Sequence, residues 1–271
     1  MEERMRNAAK RNILGVLIAA VDYEGAEEAV IRAGREGRAL RVSALAVHGL
    51  MTGVLDQEQR FRLNQFDLLV PDGQPVRWAL NWLHGVALKC RVYGPQLTLR
   101  VCERAAAEGL PVYFYGSTAE VLRALKANLL SRFPGLIIAG AEPSKFRRLT
   151  STEKEKLAKR IRASGAAIAF VGLGCPRQEA FVYECSELLD MPLLAVGAAF
   201  PFIAGAMPQA PLWMQNAGLE WLFRLYSEPK RLWQRYLFLN PTYLFLIALQ
   251  RLGLSDFPTD GRPPERELLF G

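Results

Sequence analysis

The most constraining feature of this sequence is a repeated alternation between short apolar runs and segments with helical periodicity. The apolar runs that we interpret as strands are residues 12–21, 40–47, 68–70, 111–115, 135–140, 166–171 and 192–196. The segments that we interpret as helices are residues 23–34, 74–83, 117–133, 150–165 and 178–189. Strands separated by helices favour a parallel sheet, because parallel neighbours need a long crossover connection. We therefore predict a Rossmann-like α/β core with a parallel sheet and helices on both faces.

The pattern changes after residue 207, where aromatic residues are crowded among arginines and lysines and no strand pattern is found. We predict a core over 1–207, with an N-terminal part at 12–95 and a Rossmann-like part at 96–207. A helical, membrane-associating appendage is predicted at 208–256 and a flexible tail at 257–271. The apolar run 237–249 is interrupted by Asn240 and Pro241 and is too short to span a bilayer comfortably. It is either an interfacial segment or a surface that packs against the core or a second subunit, which leaves a homo-oligomer possible.

Charge and composition narrow the classes of partner. Lys and Arg total 34 against 27 Asp and Glu, which favours an anionic partner such as nucleic acid, a phosphorylated substrate or acidic lipid. The basic residues are spread along the chain and form no recognition motif, so we do not expect nucleic-acid binding. The four cysteines have no CxxC spacing and there are only two histidines, which makes a zinc site improbable. We expect reduced thiols, no signal peptide and no cofactor.

Asp72 is the first candidate for chemistry. It follows a short apolar strand directly, within a Pro-Asp-Gly turn, and a helical segment comes next. Ligands of open parallel sheets bind beyond the carboxyl ends of the strands, where such a carboxylate could act as a general base. The alternative is a turn or N-cap aspartate, which needs the same residue types.

A glycine-containing turn at 171–179 is the second candidate. Gly172 and Gly174 follow a buried strand, and the helix after them could hold a phosphate at its N-terminus. The third glycine of the dinucleotide fingerprint is missing, which argues against a nicotinamide enzyme and leaves a tight turn as the alternative.

Basic side chains form the third group. Arg91 lies in a strand or loop between the two parts of the core, and Arg224, Arg231 and Arg235 have the spacing of a single helix face. Guanidinium groups bind a diphosphate well because they stay charged and donate two hydrogen bonds at once. No Asp-x-Asp motif is present to hold a metal ion at such a diphosphate, so arginines would take that role. His48, which we place at the end of the second strand, could face the same crevice as Asp72.

Seven segments together resemble the WecG/TagA/CpsF bacterial glycosyltransferases. They are LVPDG at 69–73, RVYG at 91–94, YFYG at 113–116, VGLGCPRQE at 171–179, VGAAF at 196–200, GLEWLFRL at 218–225 and EPKRL at 228–232. The most specific are GCPRQE and GLEWLFR, and the resemblance extends over about residues 12–240.

The resemblance implies an inverting, metal-independent transfer of a sugar from a UDP donor to a sugar on a polyprenyl diphosphate. It implies a cytoplasmic protein, peripheral on the inner face of the cell membrane, that works in cell-surface polysaccharide synthesis. N-acetylmannosamine, its uronic acid and glucose are the donor sugars used in the family. The resemblance makes Asp72 the base and Arg91 a second catalytic residue, which stabilises the charge on the departing UDP. Substrate binding is expected from His48, Gly172, Gly174, Gln178, Glu179, Arg224 and Arg231.

The sequence also departs from the family pattern. The family usually has Thr and Asn at the end of the second strand, where this chain has ALAVHG at 44–49. Gln96 and Pro201 occupy positions where the family usually has Asp. His48 could replace the missing polar contact. The alternative function is an inactive relative that acts as a scaffold in polysaccharide assembly.

Overall fold

The strands and helices follow the predicted alternation closely. In this computed structural model the chain is described over residues 9–271, without the side chains of Arg231, Gln234 and Arg235. The strands are β1 (Lys10–Ile13), β2 (Val16–Ala19), β3 (Leu40–Leu45), β4 (Leu68–Pro71), β5 (Val112–Gly116), β6 (Ile138–Glu142), β7 (Ile168–Gly172) and β8 (Pro192–Ala195). The helices are α1 (Tyr23–Glu36), α2 (Val47–Leu55), α3 (Gln57–Asn64), α4 (Gln74–His84), α5 (Gly94–Glu108), α6 (Ala119–Arg132), α7 (Ser151–Ala163), α8 (Arg177–Cys185), α9 (Ala199–Ile203), α10 (Leu212–Asn216), α11 (Glu220–Ser227) and α12 (Pro229–Leu252).

Six strands form one sheet in the order β4-β3-β8-β7-β5-β6, and every pairing in it is parallel. The pairing of β3 with β8 joins the strands of the two predicted parts of the core into this single sheet. From β5 the chain continues to β6 on one side, whereas from β7 it continues to β8 on the other. Neighbouring strands whose connections leave in opposite directions open a crevice at their carboxyl ends, which is where ligands of such folds bind.

Alternating side chains of the strands bury two separate apolar layers. Phe170 of β7 packs with α1, α5, α6 and α9, whereas Ala169 and Val171 pack with α2, α3, α4, α7, α8 and the second half of α12. The Phe170 ring stacks on Phe114 of β5, with the ring centroids 5.2 Å apart. This two-sided burial confirms the predicted Rossmann-like core with helices on both faces.

The first predicted strand, at 12–21, is wrong in one respect, because it is a β-hairpin of β1 and β2. The chain reverses at Leu14 and Gly15, whose φ angles are 52° and 88°. Two consecutive positive φ angles are typical of the tight turns that join antiparallel strands. The backbone N–H of Gly15 donates to Asn12 Oδ1 at 2.7 Å and holds the turn. The mainly apolar character of the run concealed this turn.

The appendage consists of helices, as predicted, but their arrangement differs from the expectation. Arg224 lies on α11 and Arg231 on α12, so the two do not share one helix. Pro241 does not interrupt α12, which continues through it. The second half of α12 belongs to the core because Tyr243 and Ile247 are buried there, and the Tyr243 hydroxyl donates to the Pro75 carbonyl at 3.0 Å.

The segment 257–271 lies along the core, although the sequence predicts a flexible tail. Side-chain amides of Asn12 and Asn64 donate to the carbonyls of Phe257 and Thr259 at 2.8 and 2.7 Å. Farther on, the Glu184 carboxylate accepts the backbone N–H groups of residues 268 and 269 at 2.6 and 3.0 Å. Polar side chains of the core thus satisfy a backbone that has almost no regular secondary structure of its own.

Phe170→Ala is expected to lower the free energy of unfolding by about 3–5 kcal/mol, because it leaves a cavity at the centre of the sheet. The matched control is Phe238→Ala on α12, whose side chain is 64% exposed and which is expected to change stability by less than about 0.5 kcal/mol. Urea unfolding followed by circular dichroism measures both. Similar losses in the two variants would contradict this description of the core.

Candidate active site

A large crevice opens at the carboxyl ends of the parallel strands. Its volume is about 480 Å³, within the range of pockets that hold small organic ligands. Residues that follow each of the six parallel strands line it, and helices α11 and α12 cover one side. The topology of the sheet therefore fixes where ligand-binding side chains can gather.

Asp72 follows β4 directly and faces this crevice. The backbone N–H of Gly94, the first residue of α5, donates to Asp72 Oδ1 at 2.7 Å. Gly73 occupies the N-cap of α4 and no side chain caps that helix, so the sequence alternative in which Asp72 caps it is wrong. The carboxylate is instead held at the N-terminus of α5, where the helix dipole favours a negative charge.

Burial raises the pKa of Asp72 from 3.8 to about 6. Arg91, the Gly94 N–H and Arg224 oppose this rise, whereas the nearby negative charge of Glu220 adds to it. A carboxyl group with a pKa near 6 is mostly ionised at neutral pH and binds a proton more strongly than an ordinary aspartate. These are the properties that a general base needs.

Arg91 is buried beside Asp72 and joins the core to the appendage. Its Nη2 atom lies 2.7 Å from Glu220 Oε2 on α11 and donates to Gln215 Oε1 on α10 at 3.1 Å. The guanidinium carbon lies 4.2 Å from the centroid of the Tyr93 ring. Although burial opposes its charge, the carboxylates of Asp72 and Glu220 raise the pKa of Arg91 above its ordinary value.

Arg224 also lies in the crevice, one helical turn after Glu220. Its Nη2 atom is 3.8 Å from Glu228 Oε2, a much looser ion pair than that of Arg91, and its guanidinium lies over the Phe202 ring. The side chain of Arg231 falls outside the described residues. Sequence reasoning missed Glu220 as a site residue, although it occupies the third position of the GLEWLFRL segment.

The glycines at the end of β7 and in the turn after it have different roles, one in packing and one facing the crevice. A Cβ atom on Gly172 would lie 2.6 Å from the Phe200 ring, and one on Gly116 would lie 2.6 Å from the Gly172 carbonyl oxygen. Gly174 has a φ of 79° and faces open space. The backbone at Gly174 can therefore approach a ligand, whereas Gly172 allows close packing between neighbouring strands and α9.

Gln178 and Glu179 form the floor of the crevice and contact each other. Gln178 Oε1 accepts the Gly197 N–H at 2.9 Å, and Gln178 Nε2 donates to Glu179 Oε1 at 2.9 Å. Glu179 Oε1 also accepts from the Ser43 hydroxyl of β3, and burial raises the pKa of Glu179. These contacts fix the loop after β8 and attach α8 to β3.

His48 lines the crevice, but it does not end a strand as the sequence predicts. β3 ends at Leu45, and His48 lies in the first turn of α2. The C-terminal residues Phe270 and Gly271 also line the crevice, which the sequence did not indicate. Neither a periodic pattern nor a motif marks those two positions, so only the folded chain reveals them.

Over residues 9–271, no group of three or more His, Cys, Asp or Glu side chains is arranged to hold a metal ion. Within the same described part of the chain, we find no helix with the length and hydropathy that crossing a bilayer requires.

One known family matches this chain over nearly all of its length. The sequence pattern of the Glycosyl transferase WecG/TagA/CpsF family matches residues 11–256 of the 271. The match includes the six-stranded sheet, most of the crevice lining, Asp72, Arg91 and all three appendage helices. The chain therefore belongs to the WecG/TagA/CpsF family of glycosyltransferases.

Proposed function

We propose that this protein is an inverting, metal-independent glycosyltransferase that uses a UDP-sugar donor. The acceptor is a sugar carried on a polyprenyl diphosphate at the inner face of the cytoplasmic membrane. The donor sugar is of the N-acetylmannosamine, N-acetylmannosaminuronic acid or glucose type. The observation that carries the proposal is the Asp72 carboxyl, with its raised pKa, beside Arg91 in the crevice of a chain from a glycosyltransferase family.

The reaction is a single displacement. The acceptor hydroxyl oxygen forms a bond to the anomeric carbon of the donor sugar while its proton passes to Asp72. The bond between the anomeric carbon and the diphosphate oxygen breaks on the opposite side, and UDP leaves with that electron pair. A single base on the acceptor side is sufficient for inversion, and such a base typically contributes 10²–10⁴-fold to the rate.

Arginine side chains stabilise the negative charge on the departing diphosphate. Arg91 is the more buried of the two described candidates, but its ion pair with Glu220 partly compensates its charge. Arg224 is the more available cation because its acidic partner is 3.8 Å away. Arg231 is assigned the same role by its place in the EPKRL segment.

The other site residues hold the donor. Backbone groups at Gly172 and Gly174 approach the nucleotide, and His48 contacts the sugar from the first turn of α2. Gln178 and Glu179 position the donor indirectly. Gln178 accepts the Gly197 N–H and so fixes the loop after β8, and Glu179 in turn holds the Gln178 side chain.

The appendage docks on the membrane surface. Aromatic and aliphatic side chains are exposed on all three of its helices, including Trp213 at 64%, Tyr226 at 87% and Phe245 at 63%. Helices that combine exposed aromatic residues with lysines and arginines are typical of proteins that lie in the membrane interface. Docking brings a lipid-linked acceptor to the open side of the crevice.

The activity is tested with a panel of UDP-sugars and polyprenyl-diphosphate-linked acceptors in the presence of EDTA, with product detected by mass spectrometry. A glycosylated lipid formed in EDTA supports the donor class, the acceptor class and the metal-independent mechanism. An absence of product with every pair would instead favour the scaffold alternative.

Asp72→Asn is expected to reduce kcat by at least about 100-fold, because the amide cannot accept the acceptor proton. Binding of the UDP-sugar, measured by calorimetry, should stay within about twofold of the wild-type value. The matched control is Asp67→Asn, at the opposite end of β4, where the carboxylate accepts the Arg41 N–H. Wild-type turnover by Asp72→Asn would disprove the base assignment.

The pH profile of kcat/KM is expected to have an acid limb with its midpoint near pH 6, because kcat/KM rises as Asp72 loses its proton. Glu220→Gln removes a negative charge that raises the pKa of Asp72, so the limb should move to lower pH. The exposed Glu187→Gln, outside the crevice, should leave it in place. A limb that moves upward or stays fixed in Glu220→Gln would contradict the proposed electrostatic coupling.

Replacing Trp213, Tyr226 and Phe245 together by serine is expected to reduce binding to anionic liposomes at least tenfold in a cosedimentation assay. The reason is that the variant loses three exposed apolar side chains from the docking surface. Activity on a water-soluble acceptor analogue should be retained. The control replaces Leu130 and Ile137, exposed at 42% and 49% outside the appendage. Equal sedimentation of both variants would argue against docking through the appendage.

A further inference from the structure

We propose that the segment 267–271 completes the crevice as a strap and that its Phe270 forms an aromatic wall of the subsite for the nucleoside half of the donor. The strap lies beyond residues 11–256, the part of the chain that matches the family. This inference rests on the proposed function, because a nucleotide-sugar donor supplies the elongated ligand that it requires.

The order of the strands separates the two ends of the crevice. Asp72 follows β4, at one edge of the sheet, whereas Ser117 follows β5 and Ser144 follows β6, at the other edge. Four strand positions separate β4 from β5, which corresponds to roughly 19 Å at the usual spacing. A donor whose anomeric carbon meets Asp72 therefore extends its nucleoside toward β5 and β6.

The side chains at this far end suit a nucleobase. Phe270 and Phe146 bring two aromatic rings to the crevice, and Phe146 is 62% exposed. Hydroxyl groups of Ser117 and Thr118 lie at the same end, after β5. Stacking on an aromatic ring and hydrogen bonds to the edge of a base are the contacts by which proteins hold unpaired bases.

Arg177 supplies a cation beside the strap. Arg177 begins α8, which follows β7, and its guanidinium carbon lies 5.8 Å from the centroid of the Phe270 ring. Among the described residues, no carboxylate lies within 4.0 Å of the Arg177 guanidinium. A positive charge at the N-terminus of a helix beside the Gly174 turn suits a diphosphate. The resulting order is the sugar at Asp72, a diphosphate that extends from Arg91 and Arg224 toward Arg177, and the base at β5 and β6.

Contacts with the core hold the strap in place. The Leu149 N–H donates to the Leu269 carbonyl at 2.6 Å, and the Ser144 hydroxyl donates to the Gly271 carbonyl at 2.6 Å. Glu184 accepts two backbone N–H groups of the strap, and Lys154 forms an ion pair with Glu267. Because the strap is ordered by these contacts, a ligand that binds against Phe270 does not cause a large loss of conformational entropy in the strap.

The test measures binding of UDP and of pyrophosphate to the full chain by calorimetry. Phe270→Ala should weaken UDP binding by about 5- to 150-fold, the effect of losing one base–aromatic stack. Phe270→Leu, which keeps an apolar side chain to anchor the strap, should also weaken it, whereas Phe270→Trp should retain it. Pyrophosphate binding should be unchanged in all three variants. The control is Phe257→Ala, in the same C-terminal segment but outside the crevice.

Each other outcome has a definite meaning. Unchanged UDP binding in Phe270→Ala, with UDP bound by the wild-type protein, would overturn the strap subsite and leave the proposed function intact. Equal weakening of UDP and pyrophosphate would also overturn it, because Phe270 would then act on the whole crevice rather than on the base. Failure of the wild-type protein to bind UDP would overturn the proposed donor itself.

Discussion

The site depends on the electrostatic interaction of two groups of opposite charge, the half-buried Asp72 at the end of β4 and the buried Arg91 in the loop before α5. Burial alone would push the carboxyl toward its neutral form, and the guanidinium restores much of its tendency to ionise. The same guanidinium contacts Glu220 at 2.7 Å, so one side chain both favours the ionised form of the proposed base and holds the helix that covers the crevice. Loss of Arg91 would therefore leave two carboxylates without their cation and would loosen the cover of the site.

The features that the sequence could predict are those set by local pattern. The alternation of apolar runs with helical segments was sufficient for the parallel sheet and for helices on both faces, and the turn at Asp72 was placed correctly at a strand end. The first hairpin was missed because the turn at Leu14 and Gly15 lies inside an otherwise mainly apolar run. The continuity of α12 was missed because proline usually breaks a helix, whereas this helix continues through Pro241.

What could not be predicted depends on contacts between distant parts of the chain. Glu220 is 129 residues from Arg91 in sequence, and nothing local indicates that they form an ion pair. Gln178 and Glu179 lie in the crevice, but nothing local in the sequence indicates that they also contact Gly197 and Ser43. The C-terminal segment has no periodic pattern, and its position follows from side-chain donors and acceptors supplied by the core, such as Asn64 and Glu184.

The most direct measurement is the titration of the Asp72 carboxyl itself, followed by ¹³C NMR in protein labelled at the aspartate carboxyl carbons. The resonance is assigned by its absence from the spectrum of an Asp72 variant. A midpoint near pH 6 is expected if the carboxyl is buried in the crevice and faces Glu220 as well as Arg91. A midpoint at or below 3.8, the ordinary value for aspartate, would contradict the proposed environment of the base.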